Sequence, residues 1–425
     1  MNEACILHRK YGGKIEILPK CPVRSPSDFS YWYTPGVAEP SREIAKYPEK
    51  VYEYTNKWNT VAIVTDGSRV LGLGNIGALA SLPVMEGKAM IFKLLGGVDA
   101  FPLPLDEQDP DKFIEIVKKV TPSFGGINLE DIATPKCFYI LDRLQKELDI
   151  PVWHDDQLGT ATATLAALIN ALKLVGKSMD EIEIAVIGAG AAGYATVKLL
   201  AKAGADLKKM FVVDSRGILN MQREDLEEMK LKNPEKYWLC METNAEQRSG
   251  GIAEAMKGVD VVIAASTGGV IKKEYVKLMA EDPIVFALAN PIPEIYPHEA
   301  KEAGAKIVGT GRSDFPNQIN NSLVFPAVFR GVLSVRAKKI TEDMCIAAAH
   351  ALARFAENRL SEDYIIPKMT EIHVFPEVAT AVGLKAIELG YARIKIGRNE
   401  LYDSISRMIF KTHEKIKKLM DLGFI

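Results

Sequence analysis

The sequence predicts an α/β architecture: an N-terminal α/β domain over residues 1–158, a doubly wound parallel-sheet domain over 159–394, and a helical C-terminal segment over 395–425. Three observations lead there. The chain has 425 residues, enough for two domains of ordinary size. From Gly159 onward short β-branched runs alternate with helical periodicity, which implies parallel strands joined by helices. A glycine-rich turn, "GAGAAG", links one such strand to the helix after it.

In the first domain, "KIEILP", "NTVAIVTDG" and "KAMIFKLLGG" read as strands, because each is an apolar or β-branched run stopped by Pro or Gly. "DPDKFIEIVKKVTP" reads as a helix with Asp109 as its N-cap and Pro110 in its first turn. In the second domain a helix with Leu165, Leu168, Ile169 and Leu172 on one stripe precedes the strand "IEIAVI". The helix "AAGYATVKLLAKAG" and the strands "MFVVD", "VDVVIAA", "PIVFALAN" and "KIVGTG" follow, with helical segments such as "KKEYVKLMA" between them. Beyond Phe325 the chain reads as helix, through "EDMCIAAAHALARFAE" to "ISRMIFKTHEKIKKLM".

Composition narrows the function. With 48% hydrophobic and 25% charged residues the chain is globular, and 53 basic against 55 acidic residues (net charge −2) argue against a nucleic-acid binder relying on a basic surface. Five scattered cysteines without a C-x-x-C pair imply reduced thiols and no structural zinc. The start of the chain shows no apolar secretory core, and no apolar run reads as long enough to cross a bilayer. A cytoplasmic protein without a membrane partner is expected.

The G-x-G-x-x-G spacing occurs twice. At Gly188 to Gly193 it follows a strand, opens a helix, and is succeeded by "MFVVD", whose Asp214 lies 24 residues beyond Gly190. A dinucleotide needs that context, since glycines admit the backbone to the pyrophosphate and the helix N-terminus supplies N–H donors. This half therefore reads as a Rossmann-type domain, with Gly188, Gly190, Ala191, Ala192 and Gly193 at the pyrophosphate and Asp214 and Ser215 at the adenosine ribose. Asp214 favours NAD, whereas Arg216 either receives a 2′-phosphate or faces solvent, so NAD and NADP both stand. The first copy, Gly72 to Gly77, lacks the context because Pro83 interrupts any helix after it, and it reads as a turn beside a small ligand.

Two acidic pairs, Glu130–Asp131 in "GGINLEDIATP" and Asp155–Asp156 in "HDDQLG", each follow a predicted strand, where α/β domains present their ligands. Four carboxylates brought together would protonate or recruit a cation, and an all-oxygen set suits Mg²⁺ or Mn²⁺. The competing explanation is helix capping. His154, with no partner at metal-ligand spacing, reads as a packing or outer-sphere residue.

These residues resemble the malic enzymes in their short prokaryotic form. The similarity runs in order through "YTPGVAEP" (Tyr33 to Pro40), "LGLGNIGALASLPVMEGKAMIFK" (Leu71 to Lys93), "INLEDI", "HDDQLGTA", the second glycine fingerprint, "ALANP" (Ala287 to Pro291) and "NNSLVFPAVFRG" (Asn320 to Gly331). The resemblance implies oxidative decarboxylation of L-malate to pyruvate and CO₂ with reduction of NAD⁺ or NADP⁺ and a divalent metal. It implies Glu130, Asp131 and Asp156 as metal ligands, Lys88 as base, Asp155 tuning it, and Tyr33 as the acid that protonates the enol carbon. Arg69, Asn290 and Asn320 would hold substrate, and Asn290 and Asn321 would face the nicotinamide. A lysine acting as base calls for a pKa lowered by burial.

Bland readings compete: packing for Tyr33, surface charge for Lys88 and Arg69, turn chemistry for the asparagines. Two other functions use the same residues, a metal-dependent oxaloacetate decarboxylase regulated by nucleotide and a nucleotide sensor without turnover. An amino-acid dehydrogenase would not need the acid pairs. A homodimer is expected, with the C-terminal helical segment as a conjectured interface.

Overall fold

The strands are short, and Ile184–Ile187, Val261–Ala264 and Ile284–Ala287, central in the second sheet, are apolar throughout, as strands covered on both faces must be. The computed structural model describes residues 2–425. Its first sheet contains β1 (Thr60–Thr65), β2 (Asp99–Pro104), β3 (Gly126–Leu129) and β4 (Val152–His154), in the order β2-β1-β3-β4 and parallel throughout. The second contains β5 (Ile184–Ile187), β6 (Met210–Asp214), β7 (Gly217–Ile218), β8 (Val261–Ala264), β9 (Ile284–Ala287) and β10 (Ile307–Thr310). Its order is β10-β9-β8-β5-β6-β7, parallel except for the antiparallel edge pair β6–β7.

Strand order reverses at β1 in the first sheet and at β5 in the second, and the crevices that accept ligands open beyond the carboxyl ends at such points. The residues beyond β1, β3 and β4 include Arg69, the Glu130–Asp131 pair and the Asp155–Asp156 pair. Beyond β5 lies the Gly188–Gly193 turn.

One core joins both sheets: Val61 and Ile63 of β1 and Ile184 and Val186 of β5 belong to the same apolar cluster. The helix Thr160–Val175 lies within it, with Leu165 and Leu168 fully buried. Each such leucine contributes about 1.5–3 kcal/mol by burial. The helical stretch Asp155–Val175 is long and apolar enough to span a bilayer by length and composition, unlike the sequence reading, but 67% of its apolar window is buried inside the protein.

Three local expectations change. "KAMIFKLLGG" is not a strand but the second half of a 20-residue helix, Gly77–Gly96. Its buried positions Lys88, Ala89, Phe92 and Leu95 fall at helical spacing, a pattern that a continuous apolar run hides. Pro83 does not interrupt that helix either; the carbonyl it deprives belongs to Leu79, which is 82% exposed and open to water. Residues 15–19 of "KIEILP" form no regular structure. At the far end, the helix Arg398–Asp421 buries Leu401, Ile405 and Ile409 and packs on the Gly77–Gly96 helix, so part of that segment is occupied within the chain.

Candidate active site

The four acids converge, and a lysine lies among them. β4 ends at His154, and the chain enters a single π-helical turn, Asp155–Gly159, before the long helix starts. Successive residues on a helical turn point roughly 80–100° apart, so neighbouring aspartates face different partners. Asp155 is fully buried; it accepts from Trp153 Nε1 at 3.1 Å and from Lys88 Nζ at 2.5 Å. Asp156 remains partly open and accepts from the Asp131 backbone N–H at 2.8 Å. Neither aspartate acts as a conventional N-cap.

Lys88, 9% exposed, also pairs with Glu130 and stands 4.5 Å from the centre of the Phe325 ring. Carboxylate oxygens of Glu130, Asp131 and Asp156 lie within 4.8 Å of one another. Asp131 has φ +53° and Leu71 has φ +45°, left-handed backbone that non-glycine residues adopt at a cost of about 1–3 kcal/mol. Strain of that kind on the loop carrying a candidate ligand is characteristic of functional sites. Buried Asp131 Oδ2 has no hydrogen-bond partner. An all-oxygen trio with an orphaned buried atom fits a hard divalent cation.

Burial pushes the Asp131 carboxyl up to about 7, and Asp156 adds to the rise. Burial raises Glu130 and Asp155 too, opposed by Lys88. The expected lowering of Lys88 is not found. Burial pulls it down, but Asp155, Glu130 and Asp156 together outweigh burial and hold the ammonium above its ordinary value. His154, fully buried, is held down to about 4, chiefly by burial. Its Nδ1 is 3.7 Å from Asp156 Oδ2, and neither ring nitrogen is hydrogen-bonded, consistent with an outer-sphere place.

Arg69 bonds the loops through its backbone N–H, which donates to Asp131 O at 3.0 Å; its side chain is exposed and forms no ion pair among the described residues. Tyr33 is not gathered in: it is 68% exposed, and its hydroxyl makes no hydrogen bond among the described residues.

At the second crevice Gly188 has φ +117°, and a Cβ on Gly193 would sit 1.8 Å from Gly188 O, so turn and helix approach as closely as glycine allows. Gly190 caps the helix Ala191–Lys202, where Ala192 lies in the first turn. A cavity of about 1050 Å³ at the end of β6 is lined by Asp214, Ser215, Arg216, Arg223 and Asp225.

Asp214 already has partners within the chain. One oxygen accepts from the Arg216 N–H at 2.8 Å and Arg223 Nη1 at 3.0 Å, the other from Lys236 Nζ at 3.1 Å and Arg223 Nη2 at 3.4 Å. Its lone pairs are engaged and its charge is offset by Arg223 and Lys236. The Arg216 side chain, 62% exposed, pairs with Asp225 at 2.8 Å.

Asn290 follows β9, and a Cβ on Gly311 would lie 2.7 Å from its Nδ2. Asn320 accepts from the Ser322 N–H at 2.9 Å and its Nδ2 reaches Gly311 O at 3.5 Å, so it serves turn chemistry as well. Asn321 begins the turn Asn321–Leu323; its Cβ would be 3.0 Å from a Cβ on Gly159. The sequence gives no role to Arg223 and Lys236, which reach Asp214 from 9 and 22 residues on, to Glu294, which reaches Ser266 across 28 residues, or to Phe325 inside the "NNSLVFPAVFRG" block.

Comparison with known proteins accords with this arrangement. The malic enzyme N-terminal domain family matches residues 12–145, and the malic enzyme NAD binding domain family matches residues 158–388. The bifunctional malic/malolactic enzyme of Bacillus subtilis is 50% identical over 408 residues, 96% of this chain and 98% of that protein. An NADP-dependent malic enzyme of Halomonas elongata is 42% identical, across 90% of this chain and 92% of its own length. The crystal structure of malic enzyme from Pyrococcus horikoshii superposes with a TM-score of 0.91 at 53% identity, covering 96% of this chain and 94% of the other.

Proposed function

The chain belongs to the malic enzyme family, and from that premise we propose how its residues divide the work. The reaction is oxidative decarboxylation of malate to pyruvate and CO₂ with reduction of NAD⁺ or NADP⁺, dependent on a divalent metal. The observation that carries the assignment of roles is Lys88, buried between Glu130 and Asp155 beside the three-acid cluster.

Glu130, Asp131 and Asp156 would hold Mg²⁺ or Mn²⁺, which when bound supplies Lewis acidity at the substrate hydroxyl and carboxylate. Lys88 takes the proton from the C2 hydroxyl as the C2 hydride passes to the nicotinamide. Asp155 holds the lysine in place and stabilises its charged form. Arg69 is free to grip a substrate carboxylate, with Asn290 and Asn320 beside it. Tyr33 returns a proton to the carbon that loses CO₂. Gly188, Gly190, Ala191, Ala192 and Gly193 cradle the pyrophosphate, Asp214, Ser215 and Arg216 line the adenosine end, and Asn290 and Asn321 serve the nicotinamide end.

Residues 1–158 would be the substrate domain, 159–394 the nucleotide domain and 395–425 an extension. A homodimer is supported by the first helices, Glu3–Tyr11, Phe29–Trp32, Ala38–Lys46 and Val51–Tyr54, none of which buries a residue. The chain exposes 19913 Å² at a mass of 46.8 kDa, whereas a compact monomer of that mass exposes about 16,000 Å². The difference is on the scale of an obligate interface, and covering it would give Tyr33 fixed surroundings. Sedimentation of the purified protein tests this, and a monomer at micromolar concentration would refute it. Five free cysteines fit a reducing, cytoplasmic setting.

Malate-dependent reduction of NAD⁺ or NADP⁺ with matched pyruvate, abolished by chelator, tests the role assignment when repeated with Asp156→Asn. That variant should bind nucleotide as before and lose metal-dependent turnover; full activity would remove Asp156 from the metal set.

A further inference from the structure

Two loops flank the nicotinamide end of the second crevice, one leaving β8 at Ala265 and Ser266, the other leaving β9 at Leu288 to Asn290. Both lie past strand ends, where backbone N–H groups have left the sheet ladder and need other acceptors. Both find the same one. Glu294 is fully buried, and one carboxylate oxygen accepts from the Ser266 N–H at 2.6 Å and the Ser266 hydroxyl at 3.4 Å. The other accepts from the Ala289 N–H at 3.0 Å, one residue before Asn290. Backbone bonds from Gly269 N–H to Pro293 O (2.9 Å) and from Ile271 N–H to Glu294 O (3.0 Å) complete the join.

No lysine or arginine pairs with Glu294 among the described residues. A carboxylate buried without a cation carries a desolvation cost of several kcal/mol, offset here only by charge-assisted bonds from backbone donors. Such an expense is hard to explain by packing, which an apolar side chain would serve better. It is explained by geometry, because one carboxylate bridges two converging N–H groups that belong to different loops.

We propose that Glu294 is a positioning residue that ties the β8 and β9 loops together and thereby fixes Asn290 at the reacting end of the cleft. This rests on the malic enzyme reading of Asn290. The contacts on either side show what would move. A Cβ on Gly188 would lie 2.4 Å from Ala265 O, so the β8 loop bears on the nucleotide turn. A Cβ on Gly268 would lie 2.5 Å from Ile292 O, so the two loops also bear on each other. Asn290 in turn rests on Gly311, which Asn320 also touches. Releasing the clamp at Ala289 displaces Asn290 directly and the pyrophosphate turn only at second hand.

Glu294→Gln keeps the shape but turns an NH₂ toward one of the two N–H groups, so one loop must let go. The test is a double-mutant cycle in malate-dependent nicotinamide reduction, using wild type, Glu294→Gln, Asn290→Ala and the double variant, with nucleotide affinity measured by calorimetry. Glu294→Gln should lower kcat/KM for malate by about 10- to 100-fold, the size expected of a displacement near 1 Å. Nucleotide Kd should change by less than about threefold, and in the Asn290→Ala background the Glu294 substitution should cost almost nothing further, as expected of two residues acting as a unit.

Wild-type kinetics in Glu294→Gln, or fold-losses that multiply in the double variant, would overturn the proposal. Amide hydrogen exchange on the unmodified protein gives an answer even if the variants fold poorly. Ser266 and Ala289 amides should be protected far beyond other amides of their loops, and rapid exchange at either would overturn the clamp. Absence of malate turnover in wild type would instead refute the enzymatic reading, while the exchange experiment would still report on the clamp.

Discussion

Replacing Lys88 with methionine tests the electrostatics of the site and its chemistry in one variant. Methionine preserves most of the stem volume and removes the charge. Glu130 is 4% exposed and Asp155 is 0% exposed, and both make their ion pair with Lys88, so the substitution strands two buried carboxylates. Removing one partner of a buried pair costs about 3–5 kcal/mol. With an unfolding entropy of roughly 2.1 cal/mol/K per residue, a chain of 425 residues loses roughly 3–6 °C of melting temperature for that cost. The sign with pH follows from the carboxyls. Glu130 and Asp155 have folded pKa values above their ordinary ones because of burial, with Lys88 opposing the rise. An acid raised on folding favours the folded state most at pH below its unfolded value and loses that advantage as pH rises. Without Lys88 the rise is larger, so the variant's deficit should widen from pH 5 to pH 8. Thermal melts in chelator at both pH values, with and without Mn²⁺, measure it; Mn²⁺ should recover most of the loss, and malate turnover should fall by about 10²- to 10⁴-fold. Equal melting of the two proteins in chelator at pH 8 would refute the buried ion pairs, and retained turnover would refute the base.

The remaining predictions concern protons and cofactor. Asp131, pushed up to about 7 by burial and by Asp156, contributes stability that is full below about pH 4 and is lost as pH rises through about 7, so chelated protein should melt lower at pH 8 than at pH 5. For the same reason Mn²⁺ binding at pH 6 should release about one proton, read by calorimetry in two buffers of different ionisation enthalpy; no release would contradict the assignment. Arg223→Ala should uncover the Asp214 carboxylate and subtract a cation from the cavity at the end of β6. The ratio of kcat/KM for NAD⁺ over NADP⁺ should then rise by about tenfold or more, and an unchanged ratio would show that the 2′ position does not meet this cluster.

The readable parts of the molecule were those whose physics is local. β5, the glycine turn and the helix after it announce themselves because strand period, close backbone approach and helix N-terminus are neighbours in sequence. The acid pairs were legible as a site because two charges beyond an apolar strand have few structural uses. "KAMIFKLLGG" was misread because a run apolar on every side carries no period, and only packing decides between helix and strand. The charge state of Lys88 was not legible, since it depends on carboxylates 42 and 67 residues away in sequence. Asp214 likewise showed its strand-end position and not its engagement, which comes from Arg223 and Lys236 on later segments. Glu294 sits between two prolines and an isoleucine in "PIPEI", where nothing local distinguishes a buried clamp from a solvated turn.

Lys88 reconciles two demands that oppose each other. Folding without metal needs a cation among Glu130, Asp131, Asp155 and Asp156, because four buried or half-buried carboxylates repel and are poorly solvated; a charged Lys88 meets that need. The proposed role as base would need the same nitrogen neutral for part of each cycle so that it can accept a proton. A divalent ion held by Glu130, Asp131 and Asp156 would ease the conflict, since Glu130 and Asp156 supply part of the field that holds Lys88 protonated. Asp155, outside the trio, continues to anchor the nitrogen through its own hydrogen bond. On the proposed assignment the lysine would become competent as a base only once the three acids hold their cation, which would couple hydroxyl deprotonation to assembly of the complete site.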